Sequence, residues 1–336
     1  MADCVLQIAF WSLTSVLVTI VTMYLVYRWY ISWYINSRVD DFYSRIDEAF
    51  VNFCNELTPV EYREEVYIPF RNGIYEKTLG VALLDIAFSV TKASCPAFID
   101  LPNPPGFTSQ LRVEGIDPNS GQTAMYAYIF WDKGLAQAVI AFTGTATPSE
   151  LLSDFQFSQV PGDKLNNYRD NVLVHRGFYN IYLAVQSKLW DWWDENKSWV
   201  ETLYITGHSL GGALSTICAY DFAEVFACNG TCNYPIHYSF AAPRSGNPEY
   251  ARTFNEILPT SLRINNTCDI VPQLPPSSIE GYVYEETGGN IPFTVALATL
   301  KDDHILSYFY DLPECAEVAA CYLEDSDRVC CDCYNN

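Results

Sequence analysis

Basic side chains are scarce in this chain of 336 residues: 19 Lys and Arg stand against 40 Asp and Glu, a formal charge of −21. That balance excludes a nucleic-acid binder, which needs a basic face to displace counterions from phosphate. It also disfavours charge-driven approach to an anionic leaflet. No internal repeat and no low-complexity tract is visible. Histidine occurs at only four positions, which makes any search for a catalytic base a matter of elimination. Apolar residues are abundant at 49%, enough for the core of one catalytic domain with additions.

The most informative segment is Gly207-His208-Ser209-Leu210-Gly211-Gly212-Ala213. A β-prone run, Thr202 to Thr206, precedes it and a helical stretch from Ala213 to Phe226 follows. This is the strand–turn–helix setting of a G-x-S-x-G nucleophile elbow. Gly207 and Gly211 lack a Cβ, so strand and helix can close around the serine. The helix N-terminus then faces the point where negative charge collects during acyl transfer.

A serine hydroxyl needs a base, and the base needs an orienting acid. His208 lies inside the elbow, His175 closes a strand ahead of it, and His237 sits within the strand Ile236 to Phe240. His304 alone stands downstream in a loop-like setting, and it fits the order Ser, acid, His. For the acid, Asp269 stands where the strand Leu262 to Thr267 runs into a proline-rich loop. Asp221 is a rival about three turns into the elbow helix, and Asp302 and Asp303 adjoin His304. An Asx turn is the structural alternative for Asp269. The oxyanion would take the N–H of Leu210 and that of Thr145, which follows the strand Gln137 to Phe142; a polar turn is the other reading of Thr143 to Thr147.

These residues resemble the fungal-type (class 3) lipase family. The likeness runs, in order, through Ala141-Phe142-Thr143-Gly144-Thr145, Val174-His175-Arg176-Gly177-Phe178, the elbow, Phe240 to Asn247, Asn265 to Pro276 and Asp303 to Tyr308. It implies an α/β-hydrolase fold, a mostly parallel sheet flanked by helices. It further implies Ser209 as nucleophile, Asp269 as acid, His304 as base, and Thr145 and Leu210 as oxyanion donors, with no metal and no cofactor. Two departures stand out. The family often has Arg where Thr143 stands, and Gly where Ala241 or Ala242 stands. The resemblance also implies a lid, here Pro148 to Phe157, whose Leu151, Leu152, Phe155 and Phe157 suit a short amphipathic helix. An ordinary surface helix reads equally well.

At the N-terminus, 23 residues from Val5 to Tyr27 carry no charge, long enough to span a bilayer as a helix. Aromatic residues from Tyr24 to Tyr34 suit a lipid–water boundary. A cleaved signal peptide would be shorter in its apolar part and end in a small-residue site, which is not evident here. Arg28 and Arg38 on the C-terminal flank favour a cytosolic domain by the positive-inside rule. The twelve cysteines, five of them after residue 314, favour disulfides and an oxidising compartment, and three N-x-S/T sequons are compatible with that side. No histidine accompanies the tail, which disfavours zinc. The expectation is therefore a single-pass anchor at 1–36, a lipase domain at 37–313 that is lumenal or extracellular, and a Cys-rich tail at 314–336.

Elsewhere the chain reads as helical from Arg38 to Val90, with its richest apolar face at Tyr75 to Phe88. A Pro/Gly-rich connector follows at Pro96 to Gly121, then a strand from Ala124 to Trp131. Phe178, Ile181, Tyr182, Val185, Leu189 and Trp193 recur at helical spacing. The expected activity is hydrolysis of acylglycerol esters at a membrane or lipid interface, with no nucleic-acid partner. A phospholipase A or another carboxylesterase such as a feruloyl esterase is the alternative within enzymes. An inactive homologue that binds lipid or a partner is the alternative outside them.

Overall fold

The computed structural model describes residues 75–93, 100–118, 121–144, 157–227, 234–297, 300–310 and 312. All of them belong to one compact unit, comprising 57–146 and 150–336. The expected membrane anchor, most of the lid stretch, Thr145 and the Cys-rich tail lie outside the described residues. Among the described residues no helix is long and apolar enough to cross a membrane. Cys218 and Cys268 are free thiols; the other ten cysteines, on which the disulfide expectation rests, are not among the described residues.

Seven strands form the central sheet: β1 (Ser109–Ile116), β2 (Thr123–Asp132), β3 (Gln137–Phe142), β6 (Thr202–His208), β7 (Ile236–Phe240), β8 (Leu262–Asn266) and β11 (Gly289–Phe293), in the order β1-β2-β3-β6-β7-β8-β11. The first two pairings are antiparallel and the rest parallel. Outside this sheet, β4 (Gln159–Pro161) with β5 (Leu173–His175), and β9 (Ser278–Ile279) with β10 (Tyr282–Val283), form two small antiparallel pairs. Parallel strands are covered on both faces and read as continuous apolar runs, and every residue of β3 is buried. Alternation divides them between two cores. Ala138, Ile140, Phe142, Leu203 and Ile205 face helices α2 (Arg176–Asn196) and α3 (Leu210–Ala227). Val139, Ala141, Tyr204 and Tyr238 face α1 (Lys77–Lys92) on the other side. Together with the parallel order, this three-layer arrangement is the expected α/β-hydrolase fold.

The elements most strongly marked by apolar pattern form where expected. Strands β3 and β7 keep the predicted limits, and the stripe from Phe178 to Trp193 is the inner face of α2. The elbow helix α3 starts three residues earlier than its apolar run suggests, directly after Ser209. It is apolar all round because it packs centrally between the sheet and its neighbouring helices.

Two expectations are corrected, and one strand is added that no expectation covered. The connector Pro96 to Gly121 contains β1, an edge strand paired to β2 with a bulge at Val113/Glu114. Val113 and Gly115 are buried between less buried neighbours, but the bulge interrupts this alternation and Leu111 and Ile116 stay exposed, so the pattern is short. Beyond the acid loop the sheet gains β11, whose Pro292 is tolerated because the strand lies at the edge. His304 is not in a loop: after α4 (Pro248–Ile257) it closes α5 (Leu300–His304), shortly before α6 (Ser307–Tyr310).

Asp221 settles its own role. It is fully buried on α3, and its carboxylate accepts from Tyr182 Oη (2.7 Å), Gln186 Nε2 (2.9 Å), Trp190 Nε1 (2.9 Å) and both nitrogens of Asn166 (2.7 and 3.0 Å). It therefore ties α2 and the preceding loop to the elbow helix. Asp221→Ala leaves these donors without their acceptor and is expected to cost about 3 kcal/mol, read as a lowered urea midpoint.

Candidate active site

Ser209 lies between β6 and α3 with φ at +61°, a conformation that costs a non-glycine residue about 1–3 kcal/mol. Its surroundings impose it. A Cβ on Gly207 would overlap the Gly211 carbonyl, and one on Gly211 would overlap the Phe142 carbonyl. Strand, helix and the end of β3 therefore meet at backbone contact, and the serine is squeezed out of the turn. Its N–H is tied to the Phe240 carbonyl at 2.9 Å.

The structure brings together three side chains that are distant in sequence. His304 Nε2 lies 2.8 Å from Ser209 Oγ, and His304 Nδ1 lies 2.8 Å from Asp269 Oδ2. A carboxylate accepts, so Nδ1 carries the proton and Nε2 presents its lone pair to the hydroxyl. All three are nearly enclosed, at 7%, 5% and 2% exposure for Ser209, His304 and Asp269. In so little water each charged hydrogen bond is stronger than at a surface.

Asp269 takes on both of its sequence readings at once. Its Oδ1 accepts the N–H of Val271 at 2.9 Å, which is an Asx turn, while Oδ2 turns to the imidazole. Tyr308 Oη donates to the same Oδ2 at 3.1 Å and accepts the N–H of Asn266 at 3.0 Å. Burial, with the adjacent carboxylate, pushes the Tyr308 phenol well above its ordinary value, so it stays a donor. Asn266 donates to the carbonyls of Val295 (2.8 Å) and Asp303 (3.1 Å), clamping the end of β8 to the segment that carries His304. Buried Arg263 donates to the carbonyls of Ala242 (2.9 Å) and Pro272 (2.6 Å), tying the acid loop to the turn after β7. Tyr308 and Asn266 were missed from the sequence. Helical spacing from His304 to Tyr308 was the one available signal for the former.

Leu210 is the first residue of α3, and leading helix N–H groups have no carbonyl one turn earlier to accept them. Thr145 lies outside the described residues. The loop before it is anchored: Gly144 N–H donates to Thr91 Oγ1 at 2.9 Å, and a Cβ on Gly144 would stand 3.2 Å from the His208 carbonyl.

Comparison with known proteins bears on this arrangement. The family described as Lipase (class 3) matches residues 139–279, which contain the elbow and Asp269. That segment belongs to the class 3 lipase family. A lipase of Caenorhabditis elegans is 29% identical over 153 residues, 44% of this chain and 40% of that protein. A chloroplastic phospholipase A1 of Arabidopsis thaliana is 33% identical over 161 residues, 42% of this chain and 33% of the relative. The chain thus spans less than half the length of these curated relatives. A nonglycosylated Yarrowia lipolytica lipase aligns in structure with a TM-score of 0.50 at 18% identity, over 68% of this chain and 84% of that one. Likeness at that identity shows the fold alone.

Both departures from the class 3 pattern have a structural place. Thr143 is buried and its Oγ1 donates to the Gly144 carbonyl at 2.9 Å. Ala241 adopts φ +50°, a turn conformation that glycine would take without strain. Of the expected sequons, Asn265 is buried within β8 and hydrogen-bonded to Asn290, a position closed to a glycan in the folded chain. Asn196 ends α2 with its amide donating to the Trp192 carbonyl at 2.8 Å.

The other three histidines are structural and neutral. His175 caps α2, its Nδ1 accepting the Phe178 N–H at 3.3 Å, and burial pulls its pKa down to about 4. His237 bridges Ser215 Oγ (3.1 Å) and Ser261 Oγ (2.7 Å), and burial lowers it to about 3. Burial and the nearby His304 hold His208 well below the usual range. In the unfolded chain these rings bind protons near pH 6.5. Their stabilising contribution is therefore complete above pH 6.5 and is lost as pH falls toward their native values. His175→Asn retains a capping acceptor that cannot titrate. It should flatten the fall of the unfolding free energy, measured by urea titration between pH 6.5 and 4.5, by up to about 1.4 kcal/mol per pH unit, and an unchanged slope would contradict this assignment.

Proposed function

We propose that this chain is a serine hydrolase that cleaves carboxylic ester bonds of lipids, acylglycerols foremost. The observation that carries the proposal is the hydrogen-bonded chain Ser209–His304–Asp269 at a strained elbow, 2.8 Å at each link. Ser209 Oγ attacks the ester carbonyl while His304 Nε2 takes its proton. Asp269 holds the ring and stabilises the imidazolium. The oxyanion takes the Leu210 N–H at the start of α3 and, in this reading, Thr145 as its second donor. His304 then returns the proton to the departing alcohol, leaving an acyl-enzyme. Water, deprotonated by the same imidazole, adds to the acyl carbon and releases the fatty acid with Ser209 restored. No step calls for a metal or cofactor.

A phospholipase A reading is supported by the relative that bears the name phospholipase A1. The same proton transfers serve it, and only the alcohol half of the substrate changes. The apolar segment Val5 to Tyr27 supports an anchor that would hold the site at a lipid surface, raising the effective concentration of substrate. The cysteine-rich tail supports a lumenal or extracellular domain.

A fluorophosphonate should label the wild type, and Ser209→Ala should abolish labelling. Ser209→Ala and His304→Gln are each expected to lower kcat by about 10⁴-fold or more, and Asp269→Asn by about 10³–10⁴-fold, with melting temperatures close to wild type. Folded wild type that neither labels nor releases fatty acid would favour a binding protein instead. Among triacylglycerol, diacylglycerol, phospholipid and feruloyl esters, the highest kcat/KM is expected on acylglycerols. Preference for phospholipid would select the second reading. Sensitivity of the expressed chain to glycosidase would support the lumenal domain, whereas cleavage by protease added outside intact microsomes would overturn it.

A further inference from the structure

The residue directly before the nucleophile makes a contact that the proposed proton transfers do not use. His208 Nε2 lies 2.8 Å from the backbone carbonyl of His304. A carbonyl only accepts, so this nitrogen carries a proton. His208 is 3% exposed, and its ring is held by neighbours on several sides. Phe88 of α1 packs against it, tilted, at 4.4 Å between centroids, Tyr308 meets it edge-on at 5.4 Å, and the His304 ring lies 4.7 Å away. Burial in this apolar surround keeps the ring neutral, which leaves a single proton, the one given to the carbonyl.

Two adjacent residues of the elbow thus grip the same histidine at two points. Ser209 Oγ meets its imidazole, and His208 meets its main chain. The carbonyl being gripped ends the five-residue helix α5, a helix too short to hold its own shape in isolation. We propose, resting on the hydrolase reading above, that His208 is a positioning residue, whose N–H fixes the backbone of His304 so that the imidazole stays in line with Ser209 through the proton transfers. Because His208 and Ser209 are joined by one peptide bond, a shift of the elbow carries the base with it. The proton-accepting distance is then insulated from movement elsewhere in the segment 300–310.

The experiment compares His208→Leu, which removes the N–H, with His208→Gln, whose amide nitrogen reaches about as far as Nε2. Both are assayed with a water-soluble p-nitrophenyl ester and by the rate of fluorophosphonate labelling. His208→Leu should lower kcat and the labelling rate together by about 10²-fold, the scale of a misplacement near 1 Å, with KM almost unchanged. His208→Gln should recover most of that loss. Should the Leu variant fail to fold, His208→Met removes the same donor with an unbranched side chain. A folded variant lacking the donor but as active as wild type overturns the proposal while leaving the hydrolase reading intact. Gln as impaired as Leu, both folded, also overturns it, since the ring and not the N–H would then matter. Wild type that neither hydrolyses nor labels removes the hydrolase reading and this proposal with it.

Discussion

Backbone contact between β6 and α3 is the constraint on which the site is built. With no Cβ at Gly207 or Gly211, the strand, the helix and the end of β3 approach until main chain touches main chain. The turn between them has no room for a relaxed residue, so Ser209 takes φ +61° and projects toward the rim of the sheet. Strain of this kind persists only where the surroundings over-determine it. Here they include the bond from Ser209 N–H to Phe240 and the central packing of α3. Anchored by Asp221, that helix cannot slide away to relieve the turn.

Environment assigns different work to like residues. Asp221 and Asp269 are both buried carboxylates, yet Asp221 is saturated by donors from α2 and the loop before it. Asp269 spends one oxygen on its own turn and offers the other to His304 and Tyr308. Of the four histidines, three have ring nitrogens engaged by backbone or serine partners in closed surroundings. His304 alone links a carboxylate to a hydroxyl. Residue type sets the possible chemistry, and the partners within 3 Å select among the possibilities.

The acid and base arrive on segments with little regular structure of their own, so they depend on clamps. Asn266 joins the end of β8 to the His304 segment, Arg263 joins the acid loop to the turn after β7, and Tyr308 joins the acid to both. Each is a buried polar group whose bonding is satisfied, the condition under which such networks add rigidity. His208 completes the set from the elbow side.

Read alone, the sequence determined the elements whose signals are local: the runs that became β3 and β7, the stripe of α2, and the elbow whose two glycines mark where strand meets helix. It also narrowed the candidate base to one histidine, because four are few and chain order separates them. It did not single out β1, whose alternation a bulge at Val113/Glu114 interrupts, or β11, whose Pro292 argues against a strand, nor could it show that Asp269 would serve as turn residue and imidazole partner together. Tertiary structure decided those points; it alone brought Tyr308 and Asn266 to the site and joined His208 to the His304 carbonyl. The Ser209–His304 and His208–His304 contacts close over 95 and 96 residues, and periodicity reports only which neighbours share a face. Where two distant faces meet depends on the folding of the whole sheet between them.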